Sequence, residues 1–323
     1  MSANATSLNL FGQVAESLSI TFNLAAMFGN GWVLLVIAKY GHLRKKECLF
    51  LIANLAFTDF MSAVGSLIQA AADFYLRAWY SNFFYTRFGC LAFSSVMIFG
   101  AHGSQLATIF IGMDRVDALK YPMRYHTKQQ KKFAVRVFKT TVLFSLTATV
   151  FVFVRPGLLE KPDECTVGAN FSQFYLIYYA LFVLSTAATV FLLYICILFL
   201  IRAYVARTKE AARNLAMERQ IAVSKTVSTV LFFYSILWAA PNFGFVFIIV
   251  FGVEAQLGRY IGYLIQVGLA LNCAINIGVY AVKHDTMRNC LKASIRCRPV
   301  ASVAVATSSR WSRNARRYAE DRF

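Results

Sequence analysis

One carboxylate lies inside an apolar stretch from which hydrocarbon chemistry would exclude it. Asp59 occupies the middle of residues 49–72, a run that is otherwise long and apolar enough to cross a bilayer. An acid at the centre of a spanning helix costs about 2.5–3.5 kcal/mol on insertion scales, so it must face the interior of a helix bundle and meet polar partners there. We therefore expect Asp59 to belong to a functional site shared with polar residues of other runs.

The candidate partners of Asp59 are the few polar side chains of the other apolar runs. Each of them needs a hydrogen bond in a medium without water. Asn272 and Asn276 lie one helical turn apart on one face. Weak hydrogen bonds between helices do not explain why these two residues occur together with Asp59, because a carboxylate needs several donors or a cation. Isolated polar residues are more simply interpreted as stitching, that is, as single hydrogen bonds between helices that contribute about 0.6 kcal/mol each. These residues are Asn54, His102 and Gln105.

Enzyme chemistry is disfavoured by the positions of the four histidines. They are scattered, mostly at different depths, and form no H-x-x-x-H metal pair; they are His42, His102, His126 and His284. Channels and transporters more often carry several intramembrane charges or paired internal repeats, and the sequence shows neither. We expect a protein that is not an enzyme, and a channel or transporter remains a weaker alternative.

The elements that must position these residues are spanning helices. The 323 residues are 58% hydrophobic and 15% charged, and the mean hydropathy of +0.54 is that of a membrane protein. Seven runs are long enough for a hydrocarbon layer of about 30 Å, and they show no alternation typical of a β-barrel. The predicted fold class is therefore all-α, a seven-transmembrane-helix bundle whose spans are 17–38, 49–72, 88–113, 133–154, 174–201, 224–253 and 257–282.

The basic residues predict the orientation of the bundle. The net charge of +18 could suggest nucleic acid, but 28 of the 33 Lys and Arg residues fall in or beside the segments after the first, third, fifth and seventh runs. The positive-inside rule then places the amino end outside and the carboxyl end in the cytoplasm, with the lipid bilayer rather than nucleic acid as partner. We divide the chain into an extracellular segment 1–16, a helical domain 17–296 and a cytoplasmic tail 297–323.

Two further signals agree with that orientation. The N-x-[ST] triplets at Asn4 and Asn170 both fall on the predicted outer side and mark these residues as glycosylation candidates. Of seven Cys, only Cys90 and Cys165 lie on that side, where an oxidising environment permits a disulfide between them.

Short motifs follow one another along the chain from the first run to beyond the seventh. They are Gly29-Asn30, Leu55-Ala56 with Asp59, Asp114-Arg115-Val116, Asn276-Ile277-Gly278-Val279-Tyr280 and Met287-Arg288. Cys90 also stands 25 positions before Arg115. Their order and spacing resemble those of the rhodopsin-like (class A) G protein-coupled receptors. The resemblance implies a plasma-membrane receptor with a short cytoplasmic membrane-surface helix, near which Cys297 is a palmitoylation candidate.

The resemblance also implies a mechanism. Such a receptor binds a ligand from outside, shifts between two helix arrangements and opens a cytoplasmic cleft to a heterotrimeric G protein, with arrestin as a further partner. By the same resemblance, Asp114 holds Arg115 at rest, and Arg115 is freed to meet the G protein. Tyr194 and Tyr280 turn inward in the active form, and Asn276 belongs to the same switch.

By the same resemblance, Asp59, Ser104, Asn272 and Asn276 match positions that enclose an allosteric sodium ion in the resting state of many such receptors. The alternative is a protonated Asp59 bonded to Asn30 and Asn276. No other cofactor is expected.

The predicted ligand pocket is neutral and aromatic. Counting back from Arg115 puts Met97 where amine receptors carry an Asp, so a biogenic amine is disfavoured. A retinal chromophore is also disfavoured, because the interior of the seventh run contains no Lys. We expect a small, uncharged or weakly polar ligand. The predicted lining is Gln69, Met97, Ile98, Ala101, Tyr178, Phe182, Trp238, Asn242 and Gln266.

Several motifs have drifted from the family pattern. Val116 replaces the usual Tyr, and Ile277 replaces the seventh-helix Pro. The segment Trp238-Ala239-Ala240-Pro241 is one residue longer than the family's Trp-x-Pro, which puts the role of Trp238 as pocket floor in question. This drift is most similar to the nematode serpentine chemoreceptors (Srsx-type), with a divergent neuropeptide receptor as the alternative.

Overall fold

The chain folds as a bundle of long helices. The computed structural model describes residues 2–40, 47–79, 86–121, 125, 130–154, 157–160, 170–208, 215–251, 255–283 and 285–295. Its helices are α1 (Ser2–Lys39), α2 (Glu47–Trp79), α3 (Arg87–Lys120), α4 (Gln130–Phe151), α5 (Gln173–Thr208), α6 (Leu215–Tyr234), α7 (Ala240–Phe251), α8 (Ala255–Lys283) and α9 (Asp285–Ile295). A π-helical turn, Ser235–Ala239, joins α6 to α7, and the three together form the sixth span.

Seven stretches of the described chain are long and apolar enough to cross a membrane. They are Leu10–Lys39, Leu49–Phe74, Arg87–Lys120, Lys132–Phe151, Gln173–Ala203, Val223–Ile248 and Tyr260–Val279. Among the described residues every regular element is helical. The prediction of an all-α bundle with seven spans is therefore confirmed.

The carboxyl-terminal end of the helical region matches the prediction, and the amino-terminal end does not. The first helix begins at Ser2, so most of the segment 1–16 continues the first span as helix instead of preceding it. A short helix, α9, follows the seventh span as expected, with Met287 and Cys290 fully buried. The indole Nε1 of Trp32 in α1 donates to Ser294 Oγ of α9 at 3.4 Å, which ties this short helix to the bundle.

Local sequence signals set the limits of α3, a largely buried helix of the site. Its N-cap is Thr86, whose side-chain oxygen accepts a hydrogen bond from the Gly89 amide at 3.2 Å. The helix ends at Lys120, and the Tyr121 amide still bonds to the Asp117 carbonyl. Pro122 follows in the sequence and disfavours a helical conformation at the residue before it.

Glycines bring the α2 and α3 backbones into direct contact. A Cβ built on Gly65 would lie 2.1 Å from the backbone nitrogen of Met97, and one on Gly100 would lie 2.1 Å from that of Ser62. Only a residue without a side chain fits at either place, and small residues of this kind are what lets membrane helices approach closely. This close approach brings Asp59 on α2 within reach of α3.

The residue that replaces the seventh-helix proline also packs against a glycine. Ile277 of α8 fills the space over Gly29 of α1, where an added Cβ would lie 2.3 Å from its Cδ1 atom. The drifted motif of the seventh span and the Gly-Asn pair of the first span are therefore complementary in shape.

We expect Gly100→Ala to destabilise the bundle, because the new methyl group would overlap the α2 backbone and overpacking costs about 1–3 kcal/mol. Thermal unfolding of the detergent-solubilised protein measures the effect as a lowered Tm. Gly31→Ala is the matched control, since its Cβ would meet only the Phe60 ring at 3.4 Å. Equal unfolding temperatures for the two variants would contradict the close-contact interpretation.

Candidate functional site

Asp59 lies at the point where α2, α3 and α8 meet. Its side chain is completely buried. Oδ1 accepts a hydrogen bond from Ser104 Oγ at 2.6 Å and a longer one from Cys273 Sγ at 3.5 Å, while Oδ2 accepts from Asn276 Nδ2 at 2.9 Å. The structure thus brings Asp59 together with two of its predicted partners, Ser104 and Asn276.

Two amide oxygens of α8 lack hydrogen-bond partners. Asn272 Oδ1 and Asn276 Oδ1 are both buried without a donor. Buried acceptors are normally satisfied, so a pair of orphaned oxygens on one helix face needs an explanation. Carbonyl and carboxylate oxygens are the ligands that hard cations prefer. The donor set of Asp59, Ser104, Asn272 and Asn276 therefore fits a small hard cation such as sodium.

Two details of the Asp59 site differ from expectation. Asn30 was the predicted partner of a protonated Asp59, but its Nδ2 donates instead to the backbone carbonyl of Cys273 at 3.3 Å. The predicted bond between Asn30 and a protonated Asp59 is therefore wrong. Cys273, which the sequence analysis did not place in this site, is a free thiol whose Sγ donates to Asp59. Its spacing of three residues before Asn276 puts it on the same helix face, and this signal could have identified it.

At the other end of α3 a buried ion pair is closed by a tyrosine. Arg115 and Asp114 are 3% and 4% exposed, and Arg115 Nε donates to Asp114 Oδ2 at 3.1 Å, with its NH2 group bonded to the same oxygen. Tyr125 completes a triangle, because its hydroxyl accepts from Arg115 at 2.7 Å and donates to Asp114 Oδ2 at 3.2 Å. The predicted pairing of Asp114 with Arg115 is present, and Tyr125 is a partner that the sequence analysis missed.

The two predicted switch tyrosines are not part of this triangle. Tyr194 of α5 is half-buried and packs against Phe232 of α6, with ring centroids 6.3 Å apart. The backbone of Tyr280 lies within α8, but its side chain is outside the described residues. An inward turn of either side chain stays a prediction.

The predicted pocket aromatics pack around a histidine. His102 of α3 stacks on Phe182 and Tyr178 of α5, at centroid distances of 4.8 and 6.0 Å. Its Nδ1 lies 2.9 Å from the Ile98 carbonyl, while Nε2 is buried without a partner. His102, which we interpreted as simple stitching, is therefore the centre of an aromatic cluster between α3 and α5.

The rest of the predicted lining varies in burial. Ile98 and Asn242 are buried, whereas the Gln266 side chain on α8 is exposed. Gln69, Met97, Ala101 and Tyr178 are of intermediate exposure. Met97 lies where the α3 backbone touches Gly65 of α2.

The extra residue before Pro241 is absorbed by the π turn. The Ala240 amide bonds to the Ser235 carbonyl five residues earlier, in the wider spacing that accommodates one added residue. Trp238 lies within this turn, 1% exposed and packed on Tyr234. Asn242 Nδ2 donates to the Trp238 carbonyl at 2.8 Å, and Asn242 Oδ1 accepts from the Tyr179 hydroxyl at 3.2 Å. These bonds link the turn to α5.

At the predicted outer end, Cys90 is buried and disulfide-bonded. Its predicted partner Cys165 lies outside the described residues. Backbone bonds from Arg87 and Phe88 to Glu160 and Leu158 hold the segment after α4 against the start of α3.

The modification candidates are only partly described. Asn170 is 1% exposed, so the folded chain does not present its amide to a glycan, and this geometry weighs against glycosylation there. The Asn4 side chain and all of Cys297 lie outside the described residues, so both remain predictions.

Similarity to known proteins agrees with this arrangement. Residues 29–280 match the family described as 7 transmembrane receptor (rhodopsin family). Adenosine receptor A3 of Bos taurus is 23% identical over 94% of this chain and 97% of its own length, and that of Ovis aries is 23% identical over 95% and 98%. Follicle-stimulating hormone receptor of Cairina moschata is 27% identical over 56% of this chain and 27% of its own. The chain belongs to the rhodopsin family of seven-transmembrane receptors.

Proposed function

We propose that this receptor recognises a small neutral molecule from outside the cell and transmits the signal to a heterotrimeric G protein through Arg115. The observation that carries the proposal is the closed triangle of Asp114, Arg115 and Tyr125, buried near the end of α3. In this proposal the amino end is extracellular, the triangle faces the cytoplasm, and arrestin competes for the same side.

The triangle gives the resting arrangement a defined cost of opening. A buried guanidinium cannot leave its carboxylate without exposing an uncompensated charge, and breaking such a pair costs about 3–5 kcal/mol when one partner is removed. An agonist shifts the equilibrium only by its differential affinity for the two helix arrangements. Bound G protein supplies the remaining free energy by giving the released Arg115 new partners.

The chemistry of the proposed pocket favours a neutral ligand. No acid occurs among its nine proposed residues, so an ammonium group would find no counter-ion there. Aromatic rings dominate the α3–α5 side, and Asn242 already uses both ends of its amide within the protein. A flat, uncharged molecule that stacks on rings fits such a wall best.

Two separate arguments narrow the proposed ligand class further. The drifted motifs favour a chemosensory role of the nematode serpentine (Srsx) type, with a neuropeptide as the alternative. Adenosine, named in the most extensive of the similarities given above, is a neutral compound with a flat purine base and falls within the proposed class.

We also propose that a sodium ion occupies the Asp59 site in the resting arrangement. The orphaned oxygens of Asn272 and Asn276 support this, since they are acceptors whose lone pairs a cation would satisfy. The ion would supply a positive charge that stabilises the ionised carboxylate. Asp59, Ser104, Asn272 and Asn276 would hold it.

A screen for nucleotide exchange on G proteins tests the proposed function, with Arg115→Ala as the silent variant. The panel contains neutral aromatic compounds, adenosine among them, together with cationic amines and neuropeptides. We expect a neutral compound to activate the wild type and Arg115→Ala to lose the response while ligand binding persists. Activation by amines alone, or current without nucleotide exchange, would contradict the proposal.

Tyr125→Phe tests the third corner of the triangle. Removing the hydroxyl takes an acceptor from Arg115 and a donor from Asp114, so ligand-independent nucleotide exchange should rise about two- to tenfold, equivalent to about 0.5–1.5 kcal/mol. Tyr121→Phe is the control, because that ring is 47% exposed and lies beside Lys120. Unchanged basal exchange in Tyr125→Phe at equal surface expression would count against the triangle as a resting lock.

Asp59→Asn tests the sodium site. An amide carries no negative charge, so agonist affinity should no longer fall when sodium chloride replaces choline chloride in the binding assay. Asn54→Ala is the control, since it removes a buried amide that bonds to Thr141 outside this site. If Asp59→Asn retains the full sodium effect of the wild type, the ion lies elsewhere.

A further inference from the structure

A backbone carbonyl of the sixth span lacks its usual donor. In an α-helix the amide at position 241 would bond to the carbonyl of Leu237, but Pro241 has no N–H. In the π register the amide five residues after Leu237 belongs to Asn242. Inside a bilayer no water can replace the missing α-helical donor, so the protein itself must surround this carbonyl.

The Leu237 carbonyl points at a glycine of the neighbouring helix. A Cβ built on Gly268 of α8 would lie 2.0 Å from Leu237 O, 3.1 Å from Leu237 C and 3.9 Å from Leu237 Cα. The first two distances differ by nearly the length of a C=O bond, about 1.2 Å, so the carbonyl is aimed almost directly at this position. Real Cβ atoms essentially never approach within 3.0 Å, so only glycine fits there.

This contact differs from the other glycine contacts of the bundle. Gly65 and Gly100 lie against backbone nitrogens where two regular α-helices are in contact. Gly268 instead receives an oxygen that projects from a distorted turn. The hydrogens of its Cα face that oxygen, and Cα–H to carbonyl contacts are a recurring feature of close helix pairs.

The position of Trp238 follows from this contact. Leu237 and Trp238 are consecutive residues of the π turn, so any displacement of the Leu237 carbonyl moves the Trp238 backbone with it. The Trp238 carbonyl accepts a hydrogen bond from Nδ2 of Asn242, four residues later in the same span. The π turn is therefore fixed to α8 through Gly268 and to α5 through Asn242 and Tyr179.

We propose that Gly268 is a positioning residue. It seats the Leu237 carbonyl, which has no α-helical donor because of Pro241, and so sets the position of Trp238 and the π turn against α8. The seat belongs to the arrangement in which the Arg115 triangle is closed. Weakening it favours the other arrangement, because a two-state equilibrium shifts away from the state that loses a contact. Its signalling readout rests on the proposed coupling to a G protein, whereas its stability readout does not.

Gly268→Ala tests the seat, with Gly262→Ala as matched control. Both residues lie on α8, but a Cβ on Gly262 would meet nothing within 4 Å. We expect Gly268→Ala to lower the Tm and to raise ligand-independent nucleotide exchange at least about threefold, because the methyl group displaces the π turn. Gly262→Ala should match the wild type in exchange and equal or exceed it in Tm.

Pro241→Ala separates the seat from general overpacking. It restores an N–H at position 241 that can hold the Leu237 carbonyl within the sixth span, so adding Gly268→Ala should then change Tm and exchange by less than about half as much. If Gly268→Ala fails to reach the cell surface, recovery of expression in the double variant supports the seat.

Three outcomes overturn the proposal. They are equal behaviour of Gly268→Ala and Gly262→Ala, full additivity with Pro241→Ala, and failure of the double variant to recover lost expression. If the wild type activates no G protein, the proposed function fails, but the Tm comparison still decides whether the seat exists.

Discussion

A single buried carboxylate fixes the point at which three helices of this bundle converge. Asp59 receives its hydrogen bonds from Ser104 on α3 and from Asn276 and Cys273 on α8. Without them a charge in the bilayer interior would be intolerable. The Ser104 bond is short because Gly65 and Gly100 let α2 and α3 touch. The close packing at these glycines and the hydrogen bonds of Asp59 therefore depend on each other.

The same helices connect this point to both ends of the receptor. Ser104 and Arg115 lie on α3, eleven residues or about three turns apart. Asn276 lies on α8, the helix that also carries Gly268 beside the π turn. A change in the position of α3 or α8 at the level of Asp59 therefore reaches both the Arg115 triangle and Trp238. Two discrete arrangements of such a network are a physical basis for coupling a ligand to a G protein.

Sequence alone predicted what depends on periodicity and on local motifs. The seven runs, the Asp59 partners Ser104 and Asn276, and the Arg115 pair with Asp114 all follow from composition, helical spacing or motif resemblance. It missed Tyr125 because that contact depends on where the chain returns after α3. It also missed the π turn, since an extra residue before Pro241 can be absorbed by a bulge or by a shift of the whole helix, and side-chain periodicity does not distinguish the two. Glycosylation at Asn170 is a prediction from a surface motif, and the burial of this side chain weighs against it.

A double-mutant cycle on Asp59→Ala and Ser104→Ala measures the central interaction most directly. The apparent free energy of unfolding is determined in sodium-free detergent for the wild type, the two single variants and the double variant. The 2.6 Å bond between Ser104 Oγ and Asp59 Oδ1 predicts a coupling energy above about 0.5 kcal/mol, with the double variant less destabilised than the sum of the single ones. Additivity within about 0.3 kcal/mol would contradict a carboxylate that holds these helices together.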